Sequence, residues 1–353
     1  MTQGRFRKPW VVRTIGAVIV LTMALPSFAK DKTQAPLPTE LTWPVLPDKP
    51  RVKFLEVWNN NLQIEPIKKR GFLDKLAGVP SKNVLEEFEK PSGIAVDSRG
   101  RLLIASLGRA LIYRIDREHK TLERFRGDRG FFLKSPVGLA VDDKDNIYVS
   151  DPQIHLVMKF DPDFHLLATF GSDEGLKNPA YIALDEVRRR LFVVDTKAHN
   201  VVVYNLDTLQ LITRVGKPGN HNGEFLYPVG IGVNRNDGSF AVTDTGSCSV
   251  EVFDASFKFL FRFGKQAMTP GNFVRPKGVQ FDSEGNIWVA DAAFNNFQIF
   301  DSKGQVLMFV GVPGQGPGQF ELPNGLFIDK NDRVYVSDQL NYRVQIFQFL
   351  GGK

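Results

Sequence analysis

Beyond residue 88 the chain alternates short apolar stretches with turns rich in Gly, Asn and Asp. Stretches such as Ile147-Tyr148-Val149-Ser150 and Ile287-Trp288-Val289-Ala290 follow turns such as Glu284-Gly285-Asn286, a pattern that predicts strands joined by tight hairpins. The pattern repeats. Proline, a variable residue, usually glycine, an apolar stretch and usually Asp recur from Pro91, Pro136, Pro179, Pro228, Pro276 and Pro323, at spacings of 45, 43, 49, 48 and 47 residues. An apolar side chain stands three residues before each proline: Phe88, Leu133, Leu176, Phe225, Phe273 and Phe320. A second strand closes on Asp151, Asp195, Asp244, Asp291 and Asp338; a third ends in an aromatic, as in Phe253-Asp254; a fourth runs to glycine, as from Phe259 to Gly264. Four short strands in each such period predict propeller blades.

The sixth repeat ends at Phe349 without a fourth strand of its own. Residues 51–58 have the missing strand's pattern, so they are expected to complete blade six and cover an edge otherwise open to aggregation. The expected fold is all-β: a six-bladed β-propeller of four-stranded antiparallel blades over residues 51–353, with 59–87 as an insertion or lid. Asp195-Thr196 followed by His199 looks like the signature of the NHL-repeat family between second and third strands, and residues 88–349 resemble that family. The resemblance implies the fold. Because the family includes protein-binding, RNA-binding and a few catalytic members, it implies no single activity.

The 42% apolar and 24% charged composition is that of a soluble globular protein. The first 29 residues differ: Arg5, Arg7, Lys8 and Arg13 precede an apolar run from Ile15 to Leu25 and the small residues Ser27 and Ala29. That order predicts a secretory signal peptide cleaved after Ala29, because the run falls short of the ~20 residues needed to span a bilayer. The mature protein is therefore expected in the periplasm or outside the cell. Residues 30–50, with Pro36, Pro38, Pro44, Pro47 and Pro50, read as an extended tether. Removing four basic residues lowers the net charge from +6 to +2, which leaves no obvious basic patch for nucleic acid. Cys248 is the only cysteine, so no intramolecular disulfide can form.

In an up-and-down blade, the loop into the first strand and the loop joining the second to the third lie at the same end. That loop-rich end is the expected binding face. If helical, Lys68, Lys69, Arg70, Phe72, Leu73, Lys75 and Leu76 would have one basic and one apolar side; they read as a short helix packed on the ring, and membrane contact would come only through 68–76. His155 and His199 share one repeat slot with Ala110, Cys248, Asn295 and Tyr342. Equivalent positions on adjacent blades lie ~10 Å apart, whereas zinc needs its ligands within ~2.0–2.3 Å, so no metal site and no cofactor are assigned. The second-strand aspartates read as acceptors of local backbone hydrogen bonds, not as a calcium ring. Candidate ligand contacts are Tyr181, where five sibling motifs keep glycine; Lys277 and Asn324, polar entries at the variable position; Arg109, beside the Ser106 that replaces the terminal Asp; and the slot residues His155, His199 and Tyr342.

No serine-hydrolase elbow, phosphate-binding glycine loop or zinc-protease helix motif is present. The expected function is an exported binding or scaffold propeller that holds a protein, peptide or glycan on its loop-rich face. The alternative is a metal-assisted lyase or lactonase, with Tyr181 and His199 near a channel ion. RNA binding would need a basic surface that the mature chain lacks.

Overall fold

The protein is represented by a computed structural model that describes residues 40–45, 48–65, 85–172 and 175–351. The expected signal peptide, the first part of the proline-rich stretch and the basic segment 68–76 lie outside the described residues.

Every repeat forms one antiparallel sheet whose strands are neighbours in chain order. Blade one comprises Pro91–Val96, Leu102–Ser106, Leu111–Asp116 and Thr121–Phe125. Blade five comprises Pro276–Phe281, Ile287–Asp291, Asn296–Phe300 and Val306–Val310. The first strands stand side by side around a central channel, and the ring shuts where Pro323–Ile328 of blade six meets Pro91–Val96 of blade one. The chain is a six-bladed β-propeller. Two ends of the channel are distinct: the connector end, where the motif prolines and the blade-to-blade loops lie, and the turn end, where hairpins join first to second strands.

Blade six is Pro323–Ile328, Arg333–Asp338 and Arg343–Phe349, completed by Val52–Trp58 from before the first repeat. The register runs from Val52 opposite Phe349 to Trp58 opposite Val344. Val52 is fully buried in the core of blade six, and the Phe54 and Trp43 rings meet Phe347 edge-on at 5.6 and 5.8 Å. The supposed tether is shorter than the sequence suggests. Thr42–Trp43 adds a fifth strand to this blade, pairing with Lys53 and Val52, because an indole at Trp43 gains more by covering the outer edge than by staying in water.

The motif residues have local physical causes. At the third motif position of blade six, a Cβ on Gly325 would fall 2.1 Å from the Ser92 carbonyl oxygen, so glycine lets the two ends of the ring approach. The closing Asp of the first strand tethers both the next turn and a buried aromatic tip. Asp282 accepts from the Glu284 and Asn286 backbone N–H groups and from Trp288 Nε1 at 2.8 Å; Asp142 and Asp329 do the same for Tyr148 and Tyr335. Blades two, five and six thus bury a large ring without leaving its polar atom unpaired.

Candidate functional site

At the connector end, most of the polar residues that stand out in the sequence are bound within the ring. Asp151, Asp195, Asp244, Asp291 and Asp338 are completely buried. Each accepts backbone N–H groups from the loop entering its own blade: Lys177 and Asn178 at 2.8 Å for Asp195, Leu226 and Tyr227 at 2.7 Å for Asp244, and Glu321 at 2.7 Å for Asp338. The shared slot four residues onward has a left-handed backbone in every blade, with φ from 50° at Ala110 to 59° at His155. From there the side chain reaches the next blade. His155 Nδ1 lies 2.7 Å from the Lys177 carbonyl, His199 Nδ1 2.9 Å from that of Leu226, and Cys248 Sγ 3.4 Å from that of Val274. The two histidines are blade-to-blade staples facing different neighbours. Among the described residues no group of three or more His, Cys, Asp or Glu side chains could hold a metal. Arg109 pairs with Glu89 at 2.7 Å and donates to the Glu87 carbonyl, and Tyr342 is half-buried in the same slot of blade six.

The remaining candidates converge on the channel. Tyr181 of blade three is buried and crosses the axis, its hydroxyl 3.2 Å from Ser92 Oγ of blade one. Asn324 of blade six donates to the same oxygen at 3.4 Å. The two meet Ser92 at the connector end of the channel, and burial raises the Tyr181 phenol far above its ordinary value. Lys277 of blade five is half-buried and unpaired among the described residues. Burial, and then the charge of Arg275, lowers its ammonium from 10.5 to about 8.

A base charged more readily in the unfolded chain opposes folding wherever the folded chain must carry that charge. Lys277 therefore reduces stability in full below about 8, and the penalty disappears above 10.5. Lys277→Met is expected to stabilise the protein at pH 7 by on the order of 2 kcal/mol, an advantage that fades as pH rises through that window. Urea titrations at pH 7 and pH 11 check this, and equal gains at both would contradict it.

A central cavity lies at the other end. Its volume is about 570 Å³, it opens at the turn end, and all six blades contribute to its wall. Val96, Val141, Leu184, Val233 and Phe327 supply apolar surface from the ends of the inner strands. Charge is divided around the rim: Asp143, Asp145 and Glu186 on blades two and three, and Arg235, Lys330 and Arg333 on blades four and six. Burial and the neighbouring Asp143 charge raise the Glu186 carboxyl, while Arg235 opposes them. Arg235 spans the mouth to donate to the Ile328 carbonyl at 2.8 Å. A groove of similar size, about 560 Å³, runs between Glu56, Trp58, Arg117 and Lys120 at the seam of blades six and one, but it lies off the channel. None of the cavity's residues stands out in the sequence. Its walls are ordinary strand ends, and Glu186 and Arg235 sit in first-to-second-strand turns where other blades also carry charged residues, such as Lys144, Glu284 and Lys330, so nothing in the sequence marks them.

Comparison with known proteins agrees on architecture. The family model DUF5128, described as a 6-bladed beta-propeller, matches residues 271–353. No curated protein matches the chain. Among solved structures, virginiamycin B lyase from Staphylococcus aureus superposes with a TM-score of 0.58 at 13% identity, covering 85% of this chain and 100% of that one. A gluconolactonase from Xanthomonas campestris gives 0.56 at 18%, covering 74% and 86%. A protein of unknown function from Bacteroides thetaiotaomicron gives 0.60 at 17%, covering 74% and 70%. At such identities the likeness is one of fold.

Proposed function

We propose that this is an exported, non-catalytic binding propeller that takes a peptide or glycan ligand into its channel. The observation that carries this reading is the turn-end cavity. Its volume lies within the ~300–1,000 Å³ typical of ligand sites, and it combines apolar walls with a rim charged oppositely on its two sides. Several of the cavity's carboxylates already serve the fold: Asp97, Asp142 and Asp329 hold turns, and Asp145 accepts from Ser98 at 2.6 Å. Glu186, the outer donors of Arg235 and the exposed Lys330 and Arg333 are the groups left to meet a ligand. The signal-like first 29 residues support export, and the Asp195-Thr196 and His199 pattern supports an NHL-type member.

The test is calorimetric titration of the mature protein with a panel of short peptides and oligosaccharides. A ligand that binds should lose about tenfold or more in affinity to both Arg235→Ala and Glu186→Gln, as buried interface anchors do. Binding unaffected by either variant would remove the cavity from the reading.

The alternative, a metal-assisted lyase or lactonase acting at the channel mouth, draws on the names of the Staphylococcus and Xanthomonas proteins. A tightly held stoichiometric metal in chelator-free protein, or turnover of a lactone, would favour it.

A further inference from the structure

We propose a second site at the opposite, connector end of the channel: an anion site in which Lys277, Arg275 and Asn324 receive a ligand's carboxylate or phosphate group. The variable motif residues face the axis there, as the meeting of Asn324 with Ser92 Oγ demonstrates, joined by Tyr181 from the glycine position of blade three. Lys277 and Asn324 occupy that same slot on adjacent inner strands, where the Asn324 carbonyl lies 2.8 Å from a Cβ placed on Gly278.

Ser92 Oγ donates to the Val137 carbonyl at 3.2 Å, so it accepts from both Tyr181 and Asn324. That leaves one Asn324 N–H and the whole Lys277 ammonium uncommitted. Arg275, two residues before Lys277 and exposed, has no side-chain partner among the described residues. Two cations thus lie within each other's field, one of them half-buried, with no carboxylate among the described residues in ion-pairing reach of either. Surface lysines are ordinarily solvated; a desolvated one beside a second cation is unfavourable until an anion joins them. The lowered ammonium of Lys277 agrees with this.

An arriving anion must raise the Lys277 ammonium and so slow its reaction with amine reagents. Competitive labelling of the mature protein across pH, read at Lys277 by mass spectrometry, tests this with N-acetylalanine, N-acetylalanine amide and inorganic phosphate as probes. Protection by N-acetylalanine or by phosphate, with none from the amide, is expected; which of the two protects identifies the group recognised. Arg275→Gln should weaken that protection about tenfold, the effect of losing one charge-assisted contact. Lys277→Met, expected to fold at least as well as the parent, should abolish phosphorus-NMR-detected phosphate binding, or N-acetylalanine binding measured by calorimetry, while Lys277→Arg retains it. The proposal is overturned if neither anion alters the Lys277 rate relative to the exposed Lys217. Because Arg235→Ala and Glu186→Gln act at the far end, they should leave the protection intact, so failure here and failure of the cavity reading are separable.

Discussion

A chain that begins at residue 59 is expected to yield no stable monomer. Without Val52–Trp58, the strand Arg343–Phe349 becomes a bare edge, and blade six loses the fully buried Val52 together with the rings that cover Phe347. An unpaired strand of that length invites intermolecular pairing. Size-exclusion chromatography should show aggregates, and a synthetic peptide of residues 40–58 added during refolding should restore monomer. The graded version is Phe347→Ala. Its ring also meets Phe297 at 5.3 Å in blade five, so its removal should cost about 3–5 kcal/mol, as for other large core side chains. A truncated chain melting at the parent temperature would show that the ring does not depend on this strand.

The second large effect is expected from Asp338→Ala. Asp338 is fully buried, accepts from the Glu321 backbone N–H, and pairs with Arg343 at 2.7 Å. Arg343 in turn holds the connector before blade six, donating to the Gly316 and Gln319 carbonyls at 3.0 and 2.7 Å. Removing the carboxylate leaves a buried guanidinium without its countercharge, a loss of about 3–5 kcal/mol. Asp338→Asn should cost less, since the amide oxygen can still accept from Glu321. Asp161→Ala, which removes a partly exposed carboxylate that accepts from the Asp163 and His165 backbone N–H groups, is the comparison and should cost only about 1 kcal/mol. Equal losses in Asp338→Ala and Asp161→Ala would contradict the burial argument.

The architecture was legible because each blade must solve the same local problems with the same residues. Glycine permits the approach of the next inner strand, Asp holds a turn and an aromatic tip, and a second Asp ties down the incoming loop. Repetition of those solutions counts the blades, and the absent fourth strand of the last repeat points to 51–58. The site was much less legible. His155 and His199 look like chemistry in the sequence, yet their left-handed slot directs them to a neighbouring carbonyl. Tyr181 breaks the glycine pattern, but its destination, a hydroxyl 89 positions away on a blade two steps around the ring, depends on closure and not on spacing. The turn-end cavity is further still from view, since a space enclosed by six strand ends has no counterpart in any one of them. The two-residue strand at Thr42 was hidden by its prolines, among them the one that follows Trp43.

The pairing of Val52 with Phe349, extended by the Arg51 guanidinium donating to the Gly351 carbonyl 300 residues away, also dictates the order of assembly. Contacts of such sequence separation form late, because the chain entropy they remove must be lost before they return anything. Blades one to five hold all four of their strands locally and can mature while the rest of the polypeptide is still emerging. The leading ribbon cannot dock until the final strand has been released, so the slowest folding phase should report on the joining of the two termini, and circular permutation that places residues 40–58 after residue 351 should abolish that delay.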